Sequence, residues 1–415
     1  MTPKTKQLII SKIPKLRFSG FSGVWEGKKL GDICDVKGGK RIPLGYSLQK
    51  ENNGLPYITV SDMENGSVSV SKIKFVPESI FEKIKNYTIS TNDIFISVAG
   101  TLGLVGIIPK ELEGASLTEN ADKLTNLKCN QLFLFHFLNA GSLKKLIENT
   151  KTSNAQPKLA IYALKTLDLN IPEISEQQKI AEFLGSTGEL INNLKEQKEN
   201  LESYKRGMMQ KIFSQEIRFK EDNGNNFPDW EQKKLGRLTC IYDGTHQTPE
   251  YVSEGIPFYS VEHVTANDFS YTKLISKDVF EKENQKVKLE KNDILMTKIG
   301  DIGTARLIDW DVGASFYVSL ALIKQSKDMS SSFLAQYINS ENFQKELWKK
   351  TIHVAFPKKI NLGEIGECYV IVPSLSEQQK IAEFLTSIDK VIESKQQQIT
   401  QVEQWKKGLM QGLFV

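Results

Sequence analysis

The phrase Ser-Glu-Gln-Gln-Lys-Ile-Ala-Glu-Phe-Leu occurs twice in this chain of 415 residues, at 175–184 and again 201 positions later at 376–385. The match extends beyond the phrase. Pro172 and Pro373 precede the two copies at the same offset, and Tyr204-Lys205, Gly207, Met209-Gln210 and Phe213 reappear as Trp405-Lys406, Gly408, Met410-Gln411 and Phe414. Solenoid repeats run to about 20–50 residues. A period of 201 residues is instead a whole module duplicated in tandem.

Upstream, the copies share a framework and differ between its fixed points. Leu16-Arg17-Phe18 returns as Ile217-Arg218-Phe219, and Trp25-Glu26 with Lys28-Lys29-Leu30-Gly31 returns as Trp230-Glu231 with Lys233-Lys234-Leu235-Gly236. Gly54-Leu55-Pro56-Tyr57 matches Gly255-Ile256-Pro257-Phe258, and Asn92-Asp93-Ile94 with Gly100 and Gly103 matches Asn292-Asp293-Ile294 with Gly300 and Gly303. Gly and Pro fix backbone turns, so their agreement reports a common fold. The residues between them are free to differ in what they bind.

Composition narrows the function classes. Charge is nearly balanced, with 54 basic and 50 acidic residues and a net charge of +4, so any basic face is local. The four cysteines (Cys34, Cys129, Cys240, Cys368) are scattered without a CxxC, and with four histidines they form no zinc signature. Isolated cysteines fit a reducing cytoplasm. No apolar run approaches the roughly 20 residues of a membrane span, and the N-terminus lacks signal-peptide architecture.

Each module reads as a mixed α/β front followed by a long helix. The runs 57–60 and 94–98, with counterparts 258–261 and 294–299, predict strands. Apolar spacing predicts helices over 131–149 and 332–350. Ser175 and Ser376 then predict N-caps with acidic residues in the first turn. Beyond each cap a 4–3–4–3 ladder begins. In the second copy it runs Ile381, Leu385, Ile388, Ile392, Lys395, Ile399, Val402, Lys406, Leu409, Leu413. In the first it runs Ile180, Leu184, Thr187, Ile191, Leu194, Lys198, Leu201, Lys205, Met208, Ile212. Such a stripe argues for coiled-coil pairing, and about 40 helical residues span roughly 60 Å. Gly185 and Gly188 weaken the first helix near its start, where the second has Thr386 and Asp389.

The expected fold class is α+β: a tandem duplication of a mixed α/β recognition domain followed by a long helix. The two helices are expected to pair as an antiparallel coiled coil with pseudo-twofold symmetry. The expected boundaries are 1–174 and 217–375 for the two domains, and 175–216 and 376–415 for the helices.

Catalytic motifs are missing. There is no GxxxxGK[ST] phosphate loop, no GxSxG, no HExxH and no Pro-Pro dipeptide, the last excluding the [DN]PP[YF] motif of amino-methyltransferases. Pro228-Asp229-Trp230-Glu231-Gln232-Lys233 superficially suggests a nuclease, but it repeats Val24-Trp25-Glu26, in which Val24 takes the place of Asp229, and reads as a turn.

In this arrangement the chain resembles the specificity subunit of Type I restriction–modification systems. The resemblance rests on four marks in order, twice. They are the phrase Pro172…Ser175-Glu176-Gln177-Gln178-Lys179-Ile180-Ala181 and its copy from Pro373, the strands at Leu55-Pro56-Tyr57 and Ile256-Pro257-Phe258, the hairpins 93–103 and 293–303, and the loop 154–159 with a degraded copy at 354–360. The resemblance implies two target recognition domains that read the halves of an interrupted, asymmetric double-stranded DNA site. It implies helices that set the gap and dock two modification subunits, which methylate adenine using S-adenosylmethionine. It also implies motor–nuclease restriction subunits that use ATP and Mg2+, with no cofactor or catalysis in this chain and no membrane. A coiled-coil adaptor binding protein or peptide is the alternative; it leaves unexplained why the copies diverge at polar loops. A stand-alone nuclease or methylase is disfavoured by the missing motifs.

Base edges are read by amides, hydroxyls, imidazoles and cations, and phosphates by cations. The candidate DNA contacts in the first domain are Lys37, Lys40 and Arg41 in a basic glycine turn, Thr59 and Ser61 at the strand exit, Thr101 in the hairpin, and Asn154, Gln156 and Lys158. In the second domain they are Thr245 and His246, then Ser260, Glu262 and His263, then Lys298, and finally His353, Lys358 and Lys359. The candidate docking and spacer residues are Glu176, Gln177, Ile180, Leu184, Ile191 and Leu201, with Glu377, Gln378, Ile381, Leu385, Ile392 and Val402. Phe356 stands where the first copy has Gln156.

Overall fold

A computed structural model describes residues 13–150 and 158–414. Asn154 and Gln156 lie outside the described residues. The chain divides into two compact units, one formed by 1–195 together with 397–415 and the other by 196–396.

In the first unit, strand Glu26–Lys29 pairs antiparallel with Asp168–Ile171, so the start of the globular front is tied to the segment that launches the long helix. A four-stranded antiparallel sheet has the order Asp35–Gly38, Ala121–Thr125, Ile94–Ser97, Val105–Gly106. A smaller sheet joins Lys74–Phe75, Pro56–Ile58 and Ser116–Leu117, the last pair parallel. The second unit repeats this plan: Glu231–Lys234 pairs with Tyr369–Val372, and Ile241–Asp243, Leu320–Ile323, Ile294–Ile299 and Asp301–Leu307 form the larger sheet. Its smaller sheet gains an edge strand, Tyr251–Val252.

Strands Ile94–Ser97 and Ile294–Ile299, each central in its larger sheet, are buried on both faces, which is why they read as largely apolar runs rather than alternating ones. Helix Gln131–Phe137 supplies Phe133, Leu134 and Phe137 to the first core, and Ser331–Ile338 supplies Phe333, Leu334 and Ile338 to the second. The hairpin glycines have a steric reason. Gly303 has φ +95°, and a Cβ there would lie 2.6 Å from Gln344 Nε2; Gly103 has φ +82° and would meet Ile147 at the same distance.

The long helices run Ile174–Phe213 and Leu375–Leu413, the first uninterrupted across Gly185 and Gly188. None of the twenty ladder rungs is exposed. Within the first unit, residues 174–195 lie antiparallel to 397–413: Phe183 packs edge-on against Trp405, and Lys195 pairs with Glu403 at 2.7 Å. Leu413 and Phe414 finish that unit's core beside Ile180 and Leu184. Within the second unit, Met209, Ile212 and Phe213 do the same beside Ile381 and Leu385, and Lys205 pairs with Asp389. Each long helix therefore contributes its first half to one unit and its last half to the other.

Four local expectations are corrected. The long helices start one residue before the predicted caps, and the hydroxyl of Ser374, not Ser376, accepts from the Glu377 amide at 3.4 Å. The helix expected over 332–350 is two, Ser331–Ile338 and Glu341–Lys350, because Ser340 caps the second by accepting from Phe343 N. The helix expected over 131–149 is bent at Gly141, whose φ of 122° is not helical. The strands expected over 57–60 and 258–261 end early, at Ile58 and Tyr259, because Thr59 and Ser260 each open a short helix with a reciprocal cap.

Candidate nucleic-acid interface

The duplicated phrase is built into each unit's interior. Glu176, only 1% exposed, receives Arg17 Nε and Nη2 at 2.8 Å each. Glu377, fully buried, receives Arg218 Nε at 3.1 Å and Nη2 at 2.8 Å, and also Trp230 Nε1 at 2.7 Å. Gln177 accepts from the Asn130 amide and donates to the Pro172 carbonyl, and Gln378 does the same with Ser330 and Pro373. Ile180, Leu184, Ile381 and Leu385 are core residues, Ile191 is buried, and Leu201, Ile392 and Val402 are half-buried rungs. These positions brace the helix starts and fill the seam. Arg17 and Arg218, which complete the brace, were visible in sequence only as framework repeats at the same offset.

The basic glycine turn owes its glycines to a close approach. A Cβ on Gly39 would lie 2.1 Å from the Thr118 carbonyl oxygen, and one on Gly244 would lie 2.3 Å from that of Phe316. The turn is thus pinned to the sheet, and its polar side chains project from a fixed base. Lys37 is exposed, with Asp35 3.9 Å away. Lys40 is exposed with its ammonium 5.5 Å from the Tyr87 ring. Arg41, also exposed, reaches Glu119 at 2.5 Å. In the second unit, His246 is exposed, 3.5 Å from Asp243, whereas Thr245 is buried and donates to Glu283. Asp243, His246 and Gln247 line an open cleft of about 500 Å³ with Lys282 and Lys286.

Other candidates are engaged within the fold. Thr59 Oγ1 donates to Asp62 at 2.6 Å and contacts Ser61, whose side chain remains exposed. His263 is buried and its Nδ1 accepts from the Ser260 amide at 2.9 Å, which leaves Nε2 as the protonated nitrogen of the neutral ring. Ser260 Oγ contacts both His263 and Glu262, and Glu262 stays exposed at the mouth of a second cleft of about 440 Å³. Lys298 is 7% exposed and paired with Asp243 at 2.7 Å. Thr101 is exposed, and its carbonyl accepts from Ser97 Oγ. Lys158 is exposed and faces the buried Asp122, whose carboxyl burial pushes up to about 6 while Lys158 pulls it down.

The loop 351–360 is the most open of these features. It is fastened at its base by Ile352 N to Lys359 O and Ile360 N to Lys298 O. His353 lies against Trp348 with ring centroids 4.1 Å apart and the planes inclined at 52°, and Lys358 Nζ lies 5.0 Å from the same ring. Lys359 is exposed, and the tip carries two bare apolar side chains, Val354 at 96% and Phe356 at 103% exposure. Trp348 and Val354 were not singled out from sequence; the only signal was that Phe356 departs from the first copy. Among the described residues no group of His, Cys, Asp or Glu could hold a metal ion, and no helix is long and apolar enough to cross a membrane.

The profile of the family described as Type I restriction modification DNA specificity domain matches the chain twice, at residues 23–203 and 228–404. The chain is 27% identical over 406 residues to the Type I restriction enzyme MjaVIII specificity subunit of Methanocaldococcus jannaschii, covering 94% of this chain and 92% of that one. It is 22% identical over 387 residues to the EcoBI specificity subunit of Escherichia coli, covering 87% and 79%. The crystal structure of a Type I restriction–modification S subunit from M. genitalium superposes with a TM-score of 0.59 at 17% identity over 97% of this chain and 99% of that one. A chain from a structural study of type I R-M complex assembly and conformational transition superposes at 0.54 with 14% identity, covering 93% and 96%. The agreement in fold runs across both modules.

Proposed function

The chain belongs to the Type I restriction modification DNA specificity domain family, and on that premise we propose how its two modules divide the work. It is a specificity subunit with two DNA-recognition domains, and catalysis belongs to the other subunits of such systems. Each front reads one half of a bipartite, asymmetric double-stranded site, and the helix pair sets the gap. The exposed helix surface docks two modification subunits, which use S-adenosylmethionine to methylate adenine. Restriction subunits add ATP- and Mg2+-dependent translocation and cleavage in the cytoplasm. The recognition domains are 1–174 and 217–375, joined to spacer helices 175–216 and 376–415.

One observation carries the two-reader part. The same pinned turn presents Lys37, Lys40 and Arg41 in the first unit and His246 and Gln247 in the second. An identical scaffold with different hydrogen-bonding groups is what two different half-sites require. Lys40, Arg41, Lys158, Lys358 and Lys359 are the proposed phosphate contacts; Lys37, Ser61, Thr101, His246, Glu262 and His353 are placed for base edges. Thr59, Thr245, Ser260, His263 and Lys298 shape these surfaces from beneath. Co-expression with the neighbouring modification subunit, followed by genome-wide mapping of adenine methylation, tests the reading. A two-part motif is expected. Scattered or absent methylation overturns it. Exchanging residues 230–370 for those of another family member must change one half-site alone.

A further inference from the structure

The two units differ at one part-buried polar cluster. Under the 201-residue repeat, Lys205 corresponds to Lys406 and Asp389 to Gly188. Phe133 and Phe333 hold the same place after their caps, donating to Asn130 and Ser330, so His136 corresponds to Gln336. In the second unit the cluster is closed: Lys205 Nζ donates to both Asp389 oxygens at 2.6 and 2.7 Å, and Gln336 Nε2 donates to Oδ2 at 2.7 Å.

In the first unit the carboxylate is missing. Position 188 is glycine, and Lys406 Nζ stands only 3.1 Å from where its Cβ would be. Burial acts on the Lys406 ammonium, lowering its pKa. His136 is 4% exposed and its Nε2 has no hydrogen-bond partner among the described residues. Burial, and then the charge of Lys406, push the imidazole down to about 4. Gly188 and Lys406 are half-buried, so the cluster is open to solvent. A desolvated cation and an unpaired buried donor-acceptor both gain from an anion between them.

We propose that Gly188, Lys406 and His136 form a receptor for a carboxylate from outside the chain, filled by an acidic side chain of a protein docked on the first unit's helices. The receptor rests on the approach of Lys406 to position 188 and on the closed cluster at the corresponding positions of the second unit; the choice of a docked protein rests on the function proposed above. Two identical partners would then meet one filled site and one open one, which distinguishes the first docking position from the second.

Two arms test this on the full chain. Imidazole resonances of the four histidines are followed by NMR during titration with acetate. The His136 pKa is expected to rise by about one unit or more, as for a group gaining an opposite charge at contact. Gly188→Asp should produce that rise without acetate and abolish the response to it. In the second arm, affinity for the modification subunit is measured. Gly188→Asp, by occupying the receptor, should weaken the first docking event roughly tenfold, the worth of one charge-assisted hydrogen bond. Gly188→Ala should not. An acetate response with unchanged docking keeps the receptor and assigns it to a free anion. No acetate response together with unchanged docking overturns the proposal. If the wild-type chain binds no modification subunit, the functional reading fails, and the acetate arm still decides the receptor.

Discussion

Arg218 and Glu377 form a two-pronged ion pair, Nε to Oε1 at 3.1 Å and Nη2 to Oε2 at 2.8 Å, with the carboxylate wholly inside the second unit. Arg17 and Glu176 repeat it in the first. The arginine also ties down its own arm, through the carbonyls of Phe227 and Pro228 in one unit and Ser22 and Gly23 in the other. The pair therefore fixes three segments at the point where each long helix begins.

Removing one partner strands a buried charge. Arg218→Met is expected to destabilise the second unit by about 3–5 kcal/mol, and adding Glu377→Leu should recover most of that loss. Urea unfolding of the single and double variants checks this. A double variant as unstable as the single would show that the arm, rather than the charge, carries the effect.

Trp230 Nε1 donates to Glu377, whereas the equivalent Trp25 Nε1 is buried without a partner among the described residues. Replacing a paired donor costs the bond and leaves the acceptor less satisfied, while replacing an orphan relieves a desolvated group. Trp230→Phe should thus cost about 1–2 kcal/mol more than Trp25→Phe, read from the shifts in urea midpoint.

Much of the helical frame around this brace was legible in the sequence. The heptad ladder picked out only positions that are shielded from solvent, because helical periodicity is a local property, and the glycine and proline framework located the hairpins; the seam contacts of Phe183 with Trp405 and Lys195 with Glu403 lie off the ladder. Local pattern alone makes the duplicated phrase a cap and first turn. Its Glu and Gln side chains instead reach residues 159 and 47 positions away in the first unit, which no local pattern encodes. His263 and Lys298 looked like readers because their types suit bases. Burial and the partners Ser260 and Asp243 became visible only with tertiary structure.

Asp122 and His136 make opposite contributions to the pH dependence of the first unit. Asp122 moves from 3.8 to about 6, so the folded state holds its proton more tightly. That contribution favours folding below pH 4 and is lost as pH rises through 6. His136 moves from 6.5 to about 4, so the unfolded state binds the proton first, and its contribution is lost as pH falls from 6.5 towards 4. Asp122→Asn should therefore stabilise the unit at pH 7, by at most about 3 kcal/mol, and hardly at all near pH 4. Urea titrations at the two pH values separate these outcomes.

The exposed cations predict a salt signature. Lys358→Ala and Lys359→Ala should each weaken DNA binding about equally for all sequences, and each should reduce the slope of log K against log salt by roughly 0.9. His246→Ala should instead relax preference at one base position of one half-site, by about 1–3 kcal/mol. A His246 variant that loses affinity uniformly would place this imidazole on phosphate.

The order of synthesis meets the first unit awkwardly. Its front lies within residues 13–195, yet its core is finished by Leu413 and Phe414. At about 5–20 residues per second, the ribosome needs roughly 10–40 s to make the intervening 201 residues. Throughout that interval the apolar rungs from Ile180 to Leu194 have no partner strand of helix to lie on. The second unit, continuous from 196 to 396, has all its parts first. The recognition domain made earliest is therefore the one whose last core residues are made last, after every residue of the second unit.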